Sequence, residues 1–144
     1  MGAVMKPKPK SRTRVLIVDD RVEFRRLFEL YMQDHPDFEI VGKLYRADDL
    51  EDEIDSLSPE VIIIDLSMPG RDTLEAITEV KHVHPGIHFL VFSLSDEDEK
   101  VDKAFAAGAT GYMVKEGGFD ELAEAIRCTA RGEKVAPKRG HSRA

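Results

Sequence analysis

At 144 residues, with 42% hydrophobic and 34% charged residues and a net charge of −7, the chain can bury a real core and is too apolar to be disordered throughout. The charge is segregated: Lys6, Lys8, Lys10, Arg12 and Arg14 give residues 1–14 a charge of +5, residues 131–144 carry +4, and the body between them holds −16. That acidic body argues against nucleic-acid binding through the folded surface, and the single cysteine, Cys128, excludes an internal disulfide and fits a reducing compartment. The opening residues lack the apolar run of a signal peptide, Lys6 stands where myristoylation of Gly2 needs Ser or Thr, and no segment reaches the length of a membrane span. One soluble, cytoplasmic domain without membrane contact is the expectation.

Residues 1–13, with Lys-Pro-Lys-Pro-Lys, read as a solvated basic tail. Val15–Val18 is the first strand, an unbroken apolar run ending in Asp19-Asp20. A helix over Val22–Gln33 follows, with Val22, Leu27, Leu30 and Tyr31 at helical spacing and His35-Pro36 as its stop. Phe38–Leu44 is the second strand, and Asp48–Leu57 a short acidic helix with Leu50, Ile54 and Leu57 on one face.

Val61–Ile64 comes next, four β-branched residues in a row, bounded by Ser58-Pro59 and Pro69-Gly70. Such a run reads as a strand buried on both faces, and Asp65 falls at its carboxyl end. Taken alone, Asp65 reads as a residue that starts the next turn. Thr73–His82 is a helix with Leu74, Ile77 and Val80 inward, Phe89–Phe92 a fourth strand running into Ser93, and Asp96–Ala107 a helix closed by Gly108. Gly111–Val114 is the fifth strand, ending at Lys115; Asp120 is expected to cap a last helix, Glu121–Arg131, with Leu122, Ala125 and Ile126 inward. Five strands alternating with five helices across short loops predict right-handed βαβ units in a doubly wound α/β sheet with helices on both faces.

The strand ends then share one rim. Asp19, Asp20, Asp65, Ser93 and Lys115 all lie at carboxyl ends of parallel strands, where open α/β sheets place their chemistry. Three carboxylates on one rim repel, and a hard divalent cation relieves that repulsion; all-oxygen ligands favour Mg²⁺ over Zn²⁺. Lys115 and Ser93 add a point charge and a hydroxyl suited to phosphoryl oxygens, with the Asp65 carboxylate as nucleophile for an acyl phosphate.

Together, Asp19-Asp20, Asp65 with Met68-Pro69-Gly70, Ser93, and Gly111-Tyr112-Met113-Val114-Lys115 resemble the receiver domain of a two-component response regulator. The resemblance covers residues 14–133, flanked by the tail 1–13 and a flexible basic linker or tail, 134–144. It implies a flavodoxin-like five-stranded parallel sheet of order 2-1-3-4-5, and Mg²⁺ held by Asp20, Asp65 and the Ser67 backbone carbonyl, with Asp19 acting through water or from behind. It also implies phosphorylation of Asp65 by a histidine kinase or phosphotransfer protein, Ser93 and Lys115 as switch residues, and a homodimer among the assemblies that phosphorylation could favour. Such a chain is no enzyme beyond its own phosphoryl transfer and acyl-phosphate hydrolysis. Tyr112 matches the aromatic whose rotamer reports phosphorylation in such domains; a partly buried edge-strand aromatic is the plainer account.

The run from Phe119 through Arg131-Gly132 to Pro137 resembles the LuxR/NarL-type regulators, in which a receiver is linked to a helix-turn-helix domain. DNA contact would then need an output domain that this chain does not contain, so the chain is expected to be either the front of a transcription regulator or a stand-alone receiver. A degenerate receiver that binds partners without phosphorylation is the alternative. A flavin-binding flavodoxin is disfavoured by two acids in the first loop, and an Asp-x-Asp phosphatase by Ser67 in the second Asp position. Two departures from the family stand out. Arg71-Asp72-Thr73 follows the Met-Pro-Gly turn where Asp-Gly is common, and the bulky Leu94 follows Ser93. Cys128 reads as a packing residue, and the five histidines pair with no acid at ligand spacing.

Overall fold

The computed structural model describes residues 12–116 and 118–137; the expected tail up to residue 11 and the stretch after residue 137 lie outside them. The elements alternate: β1 (Thr13–Val18), α1 (Val22–Met32), β2 (Phe38–Leu44), α2 (Leu50–Leu57), β3 (Val61–Ile64), α3 (Thr73–Val83), β4 (His88–Ser93), α4 (Asp98–Ala107), β5 (Gly111–Val114) and α5 (Phe119–Ala130). All pairings are parallel and the order is β2-β1-β3-β4-β5, as the resemblance implied. Among the described residues no helix is long and apolar enough to cross a membrane.

The unbroken apolar runs follow from two cores, one on each face. Successive strand side chains point to opposite faces. Leu16, Val18, Ile62, Ile64, Phe89 and Val91 therefore pack toward α2, α3 and α4, around Leu50, Ile54, Ile77 and Val101. Val15, Ile17, Val61, Ile63, Leu90 and Phe92 pack toward α1 and α5, around Phe28, Met32, Leu122 and Ile126. Burying one such aliphatic side chain contributes about 1.5–3 kcal/mol, and β1, β3 and β4 each bury four apolar side chains.

Two sequence expectations are corrected. The face of α1 assigned from Val22, Leu27 and Leu30 points outward, these residues being 56%, 55% and 61% exposed. Phe24, Phe28 and Met32 face the sheet instead: Phe24 lies 5.0 Å from Phe92 of β4, and Phe24 and Phe28 sit 6.2 and 6.1 Å from the Phe119 ring of α5, centroid to centroid. Tyr31 also packs on Phe119, at 5.2 Å. The same cluster moves the start of α5. Drawing Phe119 inward begins the helix there, Gly118 becomes the capping residue, and Asp120 accepts the Tyr31 hydroxyl in the first turn instead of capping.

Helix α4 ends as expected at Gly108, whose φ of +118° suits a residue without Cβ. At the edges, Thr13 already belongs to β1, and Val135 bridges to Gly111 of β5.

At the opposite end of the sheet from the strand-end acids, His88 Nδ1 lies 2.9 Å from the Thr110 hydroxyl. Burial, with the Lys81 charge adding to it, lowers the His88 pKa from 6.5. The folded state then binds this proton less readily than the unfolded chain. The His88 contribution is thus fully present above about pH 6.5 and is lost as pH falls through the depressed value. Urea unfolding at about pH 7.5 and about pH 5 should show a smaller acid loss in His88→Gln than in the unsubstituted protein. Equal losses would remove His88 from the pH response.

Candidate functional site

The sheet ladder itself delivers the site residues. The Asp19 N–H bonds the Leu44 carbonyl (3.0 Å), the Asp65 N–H bonds the Val18 carbonyl (3.0 Å), and the Lys115 N–H bonds the Ser93 carbonyl (2.7 Å). Each residue thus continues its strand by one step and is held in register at the carboxyl edge. The structure brings Asp19, Asp20, Asp65 and Lys115 together there. Asp19 and Asp65 are buried, Asp20 is exposed at the mouth, and one oxygen of each acid lies within 4.8 Å of the others.

Lys115 organises this pocket. Its Nζ donates to Asp65 Oδ2 at 2.8 Å and to Asp19 Oδ2 at 3.1 Å, and its side chain is only 7% exposed. The remaining oxygens are also occupied: Asp19 Oδ1 accepts the Arg21 N–H and Asp65 Oδ1 the Ser67 N–H, both at 2.8 Å. Phe24 and Phe92 flank the ammonium at 5.9 and 5.6 Å from their centroids, close enough for a modest cation–π attraction. Burial raises the Asp19 pKa above 3.8; the Arg21 N–H and Lys115 oppose the rise, and the Asp65 charge adds to it. Three carboxylates facing one ammonium leave surplus negative charge and only oxygen donors, which fits a hard divalent cation such as Mg²⁺.

Beside the acids, Ser93 is buried, and its Oγ accepts the Ser95 N–H at 3.2 Å. Tyr112 is fully buried with its hydroxyl donating to the Ser95 carbonyl at 2.6 Å, so it is not the partly buried edge aromatic of the plainer account. Burial raises the Tyr112 pKa; a hydrogen bond to Ser93 opposes this, while Asp96 and Glu97 add to it. One loop, Ser93–Glu97, therefore ties the site serine to the Tyr112 ring and the start of α4. Leu94, on that loop, is 60% exposed and points away from the core.

The loop after β3 holds residues that sequence reading left unassigned. Thr73, buried at the start of α3, donates its hydroxyl to the Asp65 carbonyl at 3.1 Å. Asp72 caps α3 by accepting the Glu75 N–H at 3.0 Å. Asp-x-x-Glu is a capping signal, so this helix start was readable from residue spacing. Arg71 reaches Glu51 of α2, twenty residues away, and no local pattern announces that pairing.

The acid crowding makes a quantitative expectation. Asp20→Asn removes one charge from the metal-free pocket while keeping the shape, and should stabilise the fold by about 1 kcal/mol or less, since Asp20 is solvated. Adding Mg²⁺ to about ten times its dissociation constant should stabilise the unsubstituted protein by about 1.4 kcal/mol and the variant far less. Urea unfolding across a Mg²⁺ titration reads both. A variant less stable than its parent without metal, or equally responsive to Mg²⁺, would make Asp20 a structural residue.

Comparison with known proteins agrees with this geometry. Residues 15–127 match the family described as the response regulator receiver domain. The chain is 34% identical over 122 residues to the response regulator protein VraR of Staphylococcus aureus, covering 85% of this chain and 58% of that protein. It is 28% identical over 134 residues to the transcriptional regulatory protein DegU of Brevibacillus brevis, covering 92% of this chain and 57% of that protein. The chain thus spans little more than half the length of these relatives. Among solved structures, the signal receiver domain of NarL from Mycobacterium tuberculosis superposes with a TM-score of 0.79 at 25% identity, covering 85% of this chain and 98% of that one. The isolated receiver domain of RcsB from Salmonella enterica serovar Typhimurium, solved with a beryllofluoride phosphomimetic, shares the fold with a TM-score of 0.80 at 22% identity, covering 89% and 95%. With residues from β1 into α5 matched, the chain belongs to the response regulator receiver domain family.

Proposed function

We propose that Asp65 is the phosphoacceptor of a two-component signalling receiver, and that its phosphorylation is read through Ser93, Tyr112 and Lys115. The observation that carries this reading is the Lys115 ammonium bridging two buried carboxylates, with a third acid within 4.8 Å. Structural ion pairs seldom leave a buried cluster with surplus negative charge. Asp20, Asp65 and the Ser67 carbonyl would hold Mg²⁺, with Asp19 behind them bonded to Lys115. When bound, the ion supplies positive charge against the oxygens of the incoming phosphoryl group.

The chemistry is a displacement at phosphorus. A carboxylate oxygen of Asp65 forms the new O–P bond while the P–N bond of a phosphohistidine breaks, and the leaving imidazole takes up a proton. The Ser67 N–H, 2.8 Å from Asp65 Oδ1, fixes the plane of the nucleophile. Lys115, already 2.8 Å from Asp65 Oδ2, keeps its charge within reach of the transferred oxygens. Ser93 can exchange its bond with the Ser95 N–H for one to a phosphoryl oxygen, which would pull on the loop that holds the Tyr112 hydroxyl. Hydrolysis of the acyl phosphate by water resets the site.

The donor would be a histidine kinase or phosphotransfer protein, and the altered surface, α4 through α5, would meet a second copy or an output domain. The likeness to regulators named as transcriptional supports DNA binding by such an output domain, not by this one. Amide spectra with Mg²⁺ and beryllofluoride, against Mg²⁺ alone, test the reading. Shifts should run from Asp65 and Ser93 through Ser95 and Tyr112 to Lys115. Identical spectra would overturn it.

A further inference from the structure

We infer that Arg71 is a positioning residue for the metal and phosphoryl site, holding the β3–α3 loop against α2 so that the Ser67 carbonyl is presented in a fixed place. The inference rests on the reading of Asp20, Asp65 and Ser67 as the Mg²⁺ site and goes beyond it, because Arg71 touches none of them.

The loop from Leu66 to Asp72 is fastened at two ends. At the strand end, the Ser67 N–H bonds Asp65 Oδ1 (2.8 Å) and the Thr73 hydroxyl bonds the Asp65 carbonyl (3.1 Å). Both of those bonds close on Asp65 itself, so they shape the turn without tying it to the other side of the fold. At the far end Arg71 makes that tie. Its N–H bonds Asp48 Oδ1 at 3.0 Å, and its guanidinium donates to the Ala47 carbonyl at 3.2 Å. The fork reaches both Glu51 oxygens at 2.5 and 2.7 Å, and one amino group also reaches Glu79 of α3 at 3.1 Å.

Two further observations say that the loop is set against the turn that enters α2 and not merely near it. Gly70 adopts φ +92°, and a Cβ there would sit 2.6 Å from Asp48 Oδ1, so the backbone is pressed on the residue that receives the Arg71 N–H. The Arg71 side chain is only 19% exposed. A planar bidentate pair of this kind fixes direction as well as distance, which a lysine at the same place could not do. Glu51 is held charged in return, its pKa lowered chiefly by the Arg71 bond.

Partners bonded directly to a metal ligand typically change metal affinity by about tenfold or more when removed, and Arg71, which acts through the loop, belongs at the low end of that range. Arg71→Ala and the milder Glu51→Gln are compared with the unsubstituted protein in a Mg²⁺ titration. It is followed by amide shifts at Ser67 and Asp65 and by the rise of the urea midpoint. Arg71→Ala should weaken Mg²⁺ by about tenfold, Glu51→Gln by less, and Arg71→Lys should recover only part of the loss. The rate of labelling by acetyl phosphate at subsaturating Mg²⁺ should fall in the same order and recover at high Mg²⁺. A purely structural role would lower the metal-free midpoint and leave the Mg²⁺ constant unchanged, which overturns the inference; if Arg71→Ala fails to fold, the Mg²⁺ constant of Glu51→Gln decides. Asp20→Asn separates the two readings. If the unsubstituted protein shows no Mg²⁺ response that Asp20→Asn removes, the site assignment fails; if it does and the Arg71 and Glu51 variants bind like their parent, only the Arg71 inference fails.

Discussion

Lys115→Ala should lose about 3 kcal/mol of stability in metal-free buffer and regain a substantial part of it when Mg²⁺ is added. The lysine is not a surface ion pair. Its ammonium lies between Asp19 and Asp65, whose side chains are 2% and 5% exposed, and removing it leaves two buried carboxylates facing one another. Breaking a buried pair from one side costs about 3–5 kcal/mol, and the open mouth at Asp20 puts this case at the lower end. On the proposed reading a divalent ion would replace the missing charge in the same pocket, so the deficit should shrink with metal. Phosphorylation should persist in part, since the proposed acceptor, Asp65, remains. The spectral change at Ser93 and Tyr112 should be lost, because the cation that links Asp65 to the end of β5 is gone. Urea unfolding with and without Mg²⁺ reads the first effect and a beryllofluoride titration the second. A loss of stability independent of metal would mean that Lys115 serves packing alone.

Asp65→Asn should abolish acyl-phosphate formation outright. An amide oxygen is a poor nucleophile toward phosphorus, and neither neighbour can take over. Asp19 stands at the end of β1 without the bond from the Ser67 N–H that orients Asp65, and Asp20 sits at the mouth without the Ser67 N–H or the lysine to orient it. Intact-mass measurement after incubation with acetyl phosphate and Mg²⁺ should show one added phosphoryl group on the parent and none on the variant. Asp20→Asn should label slowly but detectably, since it keeps the proposed nucleophile and loses a proposed metal ligand. Undiminished labelling of Asp65→Asn would move the acceptor elsewhere.

How much of this was readable beforehand depends on whether the signal was local. Val61–Ile64 and Val15–Val18 announce strands covered on both faces because every position must be apolar, and each ends in the acid that the edge of the sheet then displays. Gly108 is legible for a similar reason, since a left-handed residue is needed to end α4. The face of α1 was not legible. Val22, Leu27 and Leu30 are as apolar as Phe24, Phe28 and Met32, and partners remote in sequence, Phe92 and Phe119 among them, decide which stripe is covered. Adjacent, identical Asp19 and Asp20 likewise differ only in the direction that the strand points them, one inward to Lys115 and one to solvent. The Arg71–Glu51 fork joins a loop to a helix across sequence, and departures from a family motif signal only that something differs there.

The most direct test of the account is chemical mapping of the modified residue. Borohydride reduces an acyl phosphate to the alcohol, converting a phosphorylated aspartate to homoserine, and peptide sequencing by mass spectrometry then reads its position. After incubation with acetyl phosphate and Mg²⁺, homoserine should appear at position 65 and at neither 19 nor 20. Homoserine at 19 or 20, or none anywhere under conditions that add a phosphoryl group to the intact protein, would contradict it.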